Sequence, residues 1–188
     1  TDTVYGVGAH AFLPDAVTLL YRVKERPFTN PIPLLLQSEA QVEEVAREIS
    51  ESARMLAKAH WPGGLTLVLP KAAKVPPIVT AGGDSVAVRV PDHPFVLALI
   101  RETGAPIAAT SANLSGRPSP ITAKEVLRDL DGRISLIIDG GRCRGGTPST
   151  VLDLTVDPPR VLREGAVPLD ALRRIVPQIE VPRGTSGR

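Results

Sequence analysis

The chain has 188 residues, a length that suits one domain, and 43% of them are hydrophobic, enough for a core and too many for wholesale disorder. Aromatic residues make up 3%, too few for a base-stacking platform on single-stranded nucleic acid, and a formal charge of +2 means that any attraction for phosphate comes from local clustering. The one cysteine, Cys143, excludes an internal disulfide and reads as an incidental loop thiol. No Cys/His spacing suggests zinc, and no apolar run nears the ~18 residues of a membrane span, so the chain reads as cytoplasmic.

In chain order, Thr1–Gly8 reads as the end of a strand entering a glycine turn, and Asp15–Val23 as a short helix. The dipeptides Arg26-Pro27 and Asn30-Pro31, with Pro33, force extended backbone ahead of a buried strand at Leu34–Leu36. Ser38 with Gln41 three residues on predicts a capping box and a helix to about Ser50, followed by a second helix over Ser52–His60. After the turn Pro62-Gly63-Gly64 come a strand at Leu65–Leu69 and the alternating run Ser85–Val90. There Val86, Val88 and Val90 take one face and Ser85, Ala87 and Arg89 the other. A helix over Pro94–Glu102 is stopped by Gly104, a short strand covers Ile107–Ala109, and Thr122 with Glu125 forms a second capping box. Strands are expected at Ile134–Ile138, Val151–Leu154 and Arg160–Leu162, and a last helix over Leu169–Val176. Strands and helices interleave, so the class is α/β. Links as short as that from Leu154 to Arg160 require a mixed sheet.

Four segments spend polar residues where a core strand or a plain loop would not. In Lys24-Glu25-Arg26, an extended backbone points both cations to one side, where they converge on an anion; the plainer reading is a solvated helix end. Arg89 stands on a strand whose other face is all valine, so it needs a carboxylate or phosphate partner, and Ser85 on the same face lies about 13 Å away. The plainer reading is a structural salt bridge. Small and hydroxyl residues over Ala108–Gly116 form either an anion-binding nest or an ordinary turn. The run Gly145–Asp153 enters a strand through Ser149 and Thr150, and a lone Arg163 follows the next strand; the plainer reading is a loop and a surface charge. The P-loop, GxGxxG and GxSxG patterns are absent, His10, His60 and His93 fall in no catalytic order, and His93 before Pro94 reads as a helix start.

Taken together and in this order, the stretches TDTVYGVG, KERPFTNP, WPGGLTLVL, SVAVRVPDHP, PIAATSANLSGRPS and GGTPSTVLDL with VLREG resemble the YrdC-type threonylcarbamoyl-adenylate synthase family. They extend from residue 1 to about 165, and the Lys24-x-Arg26 and Ser111-x-Asn113 elements match family signatures. The resemblance implies a single α/β domain over 1–180, a twisted mixed sheet flanked by helices with a concave basic pocket. It implies synthesis of L-threonylcarbamoyl-AMP from L-threonine, bicarbonate and Mg²⁺-bound ATP with release of pyrophosphate. A downstream transferase complex then modifies an adenosine beside the tRNA anticodon. By motif, Lys24 and Arg26 are the catalytic cations. Arg26, Asn30, Ser85, Ser111, Asn113, Ser119 and Arg163 line the ATP site, with Lys24 supporting the phosphates. Thr3, Arg89, Ala109 and Ser149 hold the threonine, with Arg89 on its carboxylate.

The chain departs from the family in three places. The strand and helix that usually precede the first motif are expected to be missing before Thr1. Pro33-Leu34-Leu35-Leu36 stands where many members carry a histidine, and residues 181–188 read as a polar tail or linker stub where longer relatives continue into a second domain. A non-catalytic module for tRNA or double-stranded RNA is the competing reading. The related domain of hydrogenase-maturation carbamoyltransferases is a third, weakened by the lone cysteine.

Overall fold

A computed structural model describes residues 1–181; all but the first residue of the expected polar tail lies outside the described residues. The chain runs β1 (Gly6–His10), α1 (Pro14–Lys24), β2 (Leu34–Leu35), a 3-10 turn (Glu39–Gln41), α2 (Val42–Val45), α3 (Glu51–His60), β3 (Leu65–Pro70) and β4 (Ser85–Arg89). It continues through α4 (Pro94–Thr103), β5 (Ile107–Ser111), α5 (Ala123–Leu130), β6 (Thr150–Asp153), β7 (Arg160–Arg163) and α6 (Leu169–Arg173). The seven strands form one mixed sheet in the order β1-β5-β2-β4-β3-β6-β7. The β2–β4 and β3–β6 pairs are parallel and the other four antiparallel, as the short strand-to-strand links require. No helix among the described residues is long and apolar enough to cross a membrane.

Strand alternation sorts the sheet into two faces. Leu34, Val88 and Ala108 stand in register, are fully buried and join Val86, Leu65, Leu67 and Leu152 in the main core. Their neighbours Leu35, Arg89, Ile107 and Ala109 point to the opposite face, so the expected valine side and arginine side of β4 are both present. The amphipathic α5 is opened by the expected capping box: Glu125 N–H donates to Thr122 Oγ1 and Thr122 N–H to Glu125 Oε2, both at 3.3 Å.

Four local readings are corrected. The first strand begins at Gly6, where a turn was expected. A Cβ on Gly8 would meet Ile107 Cγ2 at 2.6 Å, so this glycine serves close strand approach to β5 rather than a turn. The helix expected over Ser38–Ser50 ends at Val45, because Ala46 turns extended and bridges to Lys71. Ser38 caps nothing, and Gln41 Oε1 accepts from Gln37 N–H at 2.9 Å instead; the working cap is Ser50, whose side chain accepts from Ala53 N–H. The strand expected at Ile134–Ile138 is absent. Ile134 and Ile137, three apart, turn into the cluster around Tyr5, while Leu136 is 73% exposed, a spacing that a two-residue repeat cannot give.

Replacing Thr122 with alanine removes one half of the capping box. Thr122→Ala is expected to lower the unfolding free energy by about 1 kcal/mol, read as a lower urea midpoint at unchanged slope.

Candidate active site

The first expectation changes at Lys24 itself. Helix α1 runs through Lys24 and stops at Glu25, whose backbone is left-handed with φ 53°. The path is therefore not extended, and Lys24 and Arg26 go to different partners. Lys24 is 1% exposed; its ammonium donates to the carbonyls of Ser111 and, at 2.7 Å, of Asn113. Its own carbonyl accepts from Ser115 N–H at 2.9 Å. Burial, with Arg26 nearby and Asp129 opposing, pushes the Lys24 pKa down to about 8. Arg26 instead curls onto its own loop, donating from Nε to the Asn30 carbonyl at 3.0 Å and from Nη2 to that of Pro31 at 2.8 Å.

The turn that Lys24 grips leaves the end of β5. Asn113 is buried, and its amide nitrogen donates to the carbonyls of Leu114 (2.9 Å) and Arg117 (2.8 Å). Its Oδ1 is buried without a hydrogen-bond partner among the described residues, an acceptor waiting for a donor. The turn is knitted to itself and to Lys24 by its carbonyls.

Arg89, 6% exposed, finds its carboxylate inside the chain. It donates from Nη2 to Asp2 Oδ1 at 2.6 Å, from Nη1 to Thr3 Oγ1 at 3.0 Å and from Nε to the Gly63 carbonyl at 2.7 Å. The structural salt bridge is therefore real, and it leaves two of the five guanidinium N–H groups unused. The glycine-rich loop closes on the same corner, with Gly145 N–H donating to the Asp2 carbonyl at 2.9 Å and Gly146 N–H to that of Thr3 at 2.8 Å.

Ser149 and Arg163 meet as β6 begins and β7 ends. Arg163 donates from Nε (3.0 Å) and Nη2 (2.7 Å) to the Ser149 carbonyl and from Nη2 to its Oγ at 3.0 Å. Buried Thr66 holds that Oγ from the other side at 2.8 Å. The chain after Arg163 lies so close that a Cβ on Gly165 would stand 2.3 Å from the Pro148 carbonyl oxygen, so only glycine fits.

Arg163 is the middle of a chain of like charges, with Arg26 acting on it and Arg89 feeling it. After burial, Arg26 is what lowers the Arg163 pKa. Burial also lowers that of Arg89, with Asp2 opposing and Arg163 adding. The structure thus gathers Thr3 with Arg89, Ser149 with Arg163, and Lys24 with Ser111 and Asn113, and Ala109 shares the Arg89 face. Asn30 meets Arg26 through its carbonyl alone, and no side-chain hydrogen bond draws Ser85 or Ser119 to the others among the described residues. Register places Ser85 beside Pro70, at the far end of β4 from Arg89. Nor do Lys24, Arg26, Arg89 and Arg163 line the groove of about 950 Å³ that runs along β1, which is walled by Val7, Leu20, Phe95, Ile107 and Ile137. Sequence reading missed Asp2 and Thr66. Arg89 signalled the need for an acid, but nothing local to it named Asp2.

Comparison with known proteins places these features in a group. The Sua5/YciO/YrdC family model, described as telomere recombination, matches residues 1–165. The threonylcarbamoyl-AMP synthase of Pyrococcus abyssi is 48% identical over 188 residues, covering 100% of this chain and 55% of that protein. A putative threonylcarbamoyl-AMP synthase of Mycobacterium tuberculosis is 36% identical over 94% of this chain and 81% of its own length. The crystal structure of P. abyssi Sua5 complexed with L-threonine superposes with a TM-score of 0.95 at 49% identity, covering 97% of this chain and 54% of that one. The chain thus spans about half the length of the P. abyssi relative.

The lowered Lys24 pKa has a measurable consequence. Between about 8 and the ordinary 10.5 the unfolded chain holds the Lys24 proton more tightly than the fold does. Stability from this group therefore rises with pH in that window and is penalised below it. In urea titrations from about pH 7.5 to about pH 9.5, the wild type is expected to gain on Lys24→Met by up to about 1.4 kcal/mol per pH unit.

Proposed function

The chain belongs to the Sua5/YciO/YrdC family, and on that footing we propose that it joins L-threonine, bicarbonate and ATP into L-threonylcarbamoyl-AMP with release of pyrophosphate, as a nucleotidyltransferase. The adenylate serves threonylcarbamoyladenosine formation next to the tRNA anticodon, through a downstream transferase, and the reaction suits the cytoplasm.

The observation that carries the reading is the way two of the guanidiniums are held. Arg26 and Arg163 rest on backbone carbonyls and one hydroxyl, and among the described residues neither forms an ion pair. Two uncompensated cations that feel each other favour an anion between them. At an effective dielectric near 20, each charge pair at 4 Å is worth about 4 kcal/mol. A triphosphate meets that demand, with Asn30, Ser85, Ser111, Asn113 and Ser119 further along the nucleotide. Among the described residues no cluster of three metal-ligating side chains exists. In this reading Mg²⁺ arrives on the ATP phosphates as part of the substrate.

The two unused N–H groups of Arg89 suit the threonine carboxylate, with Thr3 and the Ser149 hydroxyl beside it. Leu35, in the segment where many members carry a histidine, packs with Ile107 against Ala109 and gives an apolar wall for the substrate methyl group. The substrate brings its own nucleophile: threonine amine and bicarbonate give a carbamate with loss of water, and the carbamate oxygen attacks the α-phosphorus as pyrophosphate leaves. The protein has to align two anions and stabilise charge on the leaving group, which positioned arginines do without a covalent intermediate.

The test is pyrophosphate release from ATP, L-threonine and bicarbonate with Mg²⁺. Threonine-dependent release is expected; release without threonine, or RNA binding without any release, overturns the proposal. Arg26→Ala is expected to cut turnover roughly hundredfold or more with an unchanged circular dichroism spectrum. Turnover at the wild-type level removes Arg26 from the site.

A further inference from the structure

Helix α5 carries an acid where its pattern calls for an apolar residue. Val126 and Leu130 are buried against Tyr5 and Ala112, and Asp129, three residues from Val126, lies on the same side with its side chain 1% exposed. A buried carboxylate is kept only where donors meet it. Asp129 Oδ1 accepts from Arg117 Nη1 at 3.0 Å and from Arg128 Nε at 3.3 Å, and Oδ2 from Leu114 N–H at 3.3 Å. Burial pushes the carboxyl up, but these donors outweigh it and hold the group below the ordinary aspartate value.

Two of those donors belong to the turn that leaves β5. Leu114 and Arg117 also offer the carbonyls that take the Asn113 amide, while Lys24 grips the carbonyls of Ser111 and Asn113 from the other side. The turn over 111–117 is therefore clasped between a buried cation and a buried anion, and Asp129 favours the charged form of Lys24. An ordinary reversal needs neither charge. What the clasp fixes is the aim of Ser111 and of the unpartnered Asn113 Oδ1.

We propose that Asp129 is a positioning residue for the nucleotide: through Leu114 and Arg117 it holds the 111–117 turn in the geometry that meets ATP. This rests on the reading that the turn borders the nucleotide. Asp129 itself touches no substrate. The Arg89 corner, tied by Asp2 and Thr3, is independent of it.

The experiment measures threonine-dependent pyrophosphate release for the wild type, Asp129→Asn, Arg117→Met and the double variant. Wild-type release, measured first, reports on the functional reading; its absence overturns that reading and this proposal with it. With release established, Asp129→Asn is expected to raise KM for ATP roughly tenfold and to leave KM for L-threonine within about twofold, because only one of the two corners loosens. Arg117→Met is expected to do the same less strongly, and the double variant to add little to Asp129→Asn, as partners in one clasp do. An unchanged KM for ATP, an equal rise for both substrates, or full additivity overturns the proposal alone. Should Asp129→Asn fail to fold, Arg117→Met decides by itself, since the Arg117 side chain is 53% exposed.

Discussion

A buried ammonium must find acceptors, and the acceptors that Lys24 finds fix much of the molecule. They are the carbonyls of Ser111 and Asn113, the residues on either side of Ala112 where β5 runs into its turn. With Ser115 N–H returning to the Lys24 carbonyl, the end of α1 and the start of the turn become one body. Strand β5 lies between β1 and β2, so this body sits beside the middle of the sheet. Helix ends usually attract cations to their own last carbonyls. Here the last residue of the helix sends its cation to another chain segment, and the helix end is finished instead by the left-handed Glu25.

The three arginines are held in two ways, and the difference separates their work. Arg89 is anchored by a carboxylate, so much of its charge is already answered, and two of its N–H groups stay unused. Arg163 is anchored by a carbonyl and a hydroxyl, and Arg26 by two carbonyls. Carbonyls fix a guanidinium without neutralising it, so these two keep a full charge. The glycine at 165 belongs to the same device, because the Ser149 carbonyl can hold Arg163 only if the chain after β7 passes within contact of it.

Sequence showed what is local. The valine and arginine faces of β4, the Thr122 capping box and the stop at Gly104 each rest on a few consecutive residues, and each stands as expected. The helix over Ser38–Ser50 failed because Ala46 is claimed by Lys71, and the strand at Ile134–Ile138 failed because the cluster around Tyr5 draws in residues three apart. The candidate site residues stood out through the family motifs they belong to, but their partners did not. Asp2 stands 87 positions from Arg89 and Thr66 stands 83 from Ser149, separations over which one sequence carries no pairing signal. Asp129 was hidden differently: an acid on a helix reads as surface until packing shows which side it faces.

The spacing of Lys24 and Arg26 then has a physical sense other than the one the sequence suggested. An extended path would send both cations to one anion. The helix end and Glu25 send them apart, the lysine inward and the arginine to the loop. Burial that brings a lysine to about 8 makes its charge conditional near neutral pH, whereas a guanidinium keeps its proton under any such burden. A group that faces a triphosphate has to stay charged as pyrophosphate leaves; one that organises carbonyls needs only N–H bonds, which a neutral amine still supplies. On the proposed reading, the arrangement puts the conditional cation where hydrogen bonding suffices and the permanent one where charge is required.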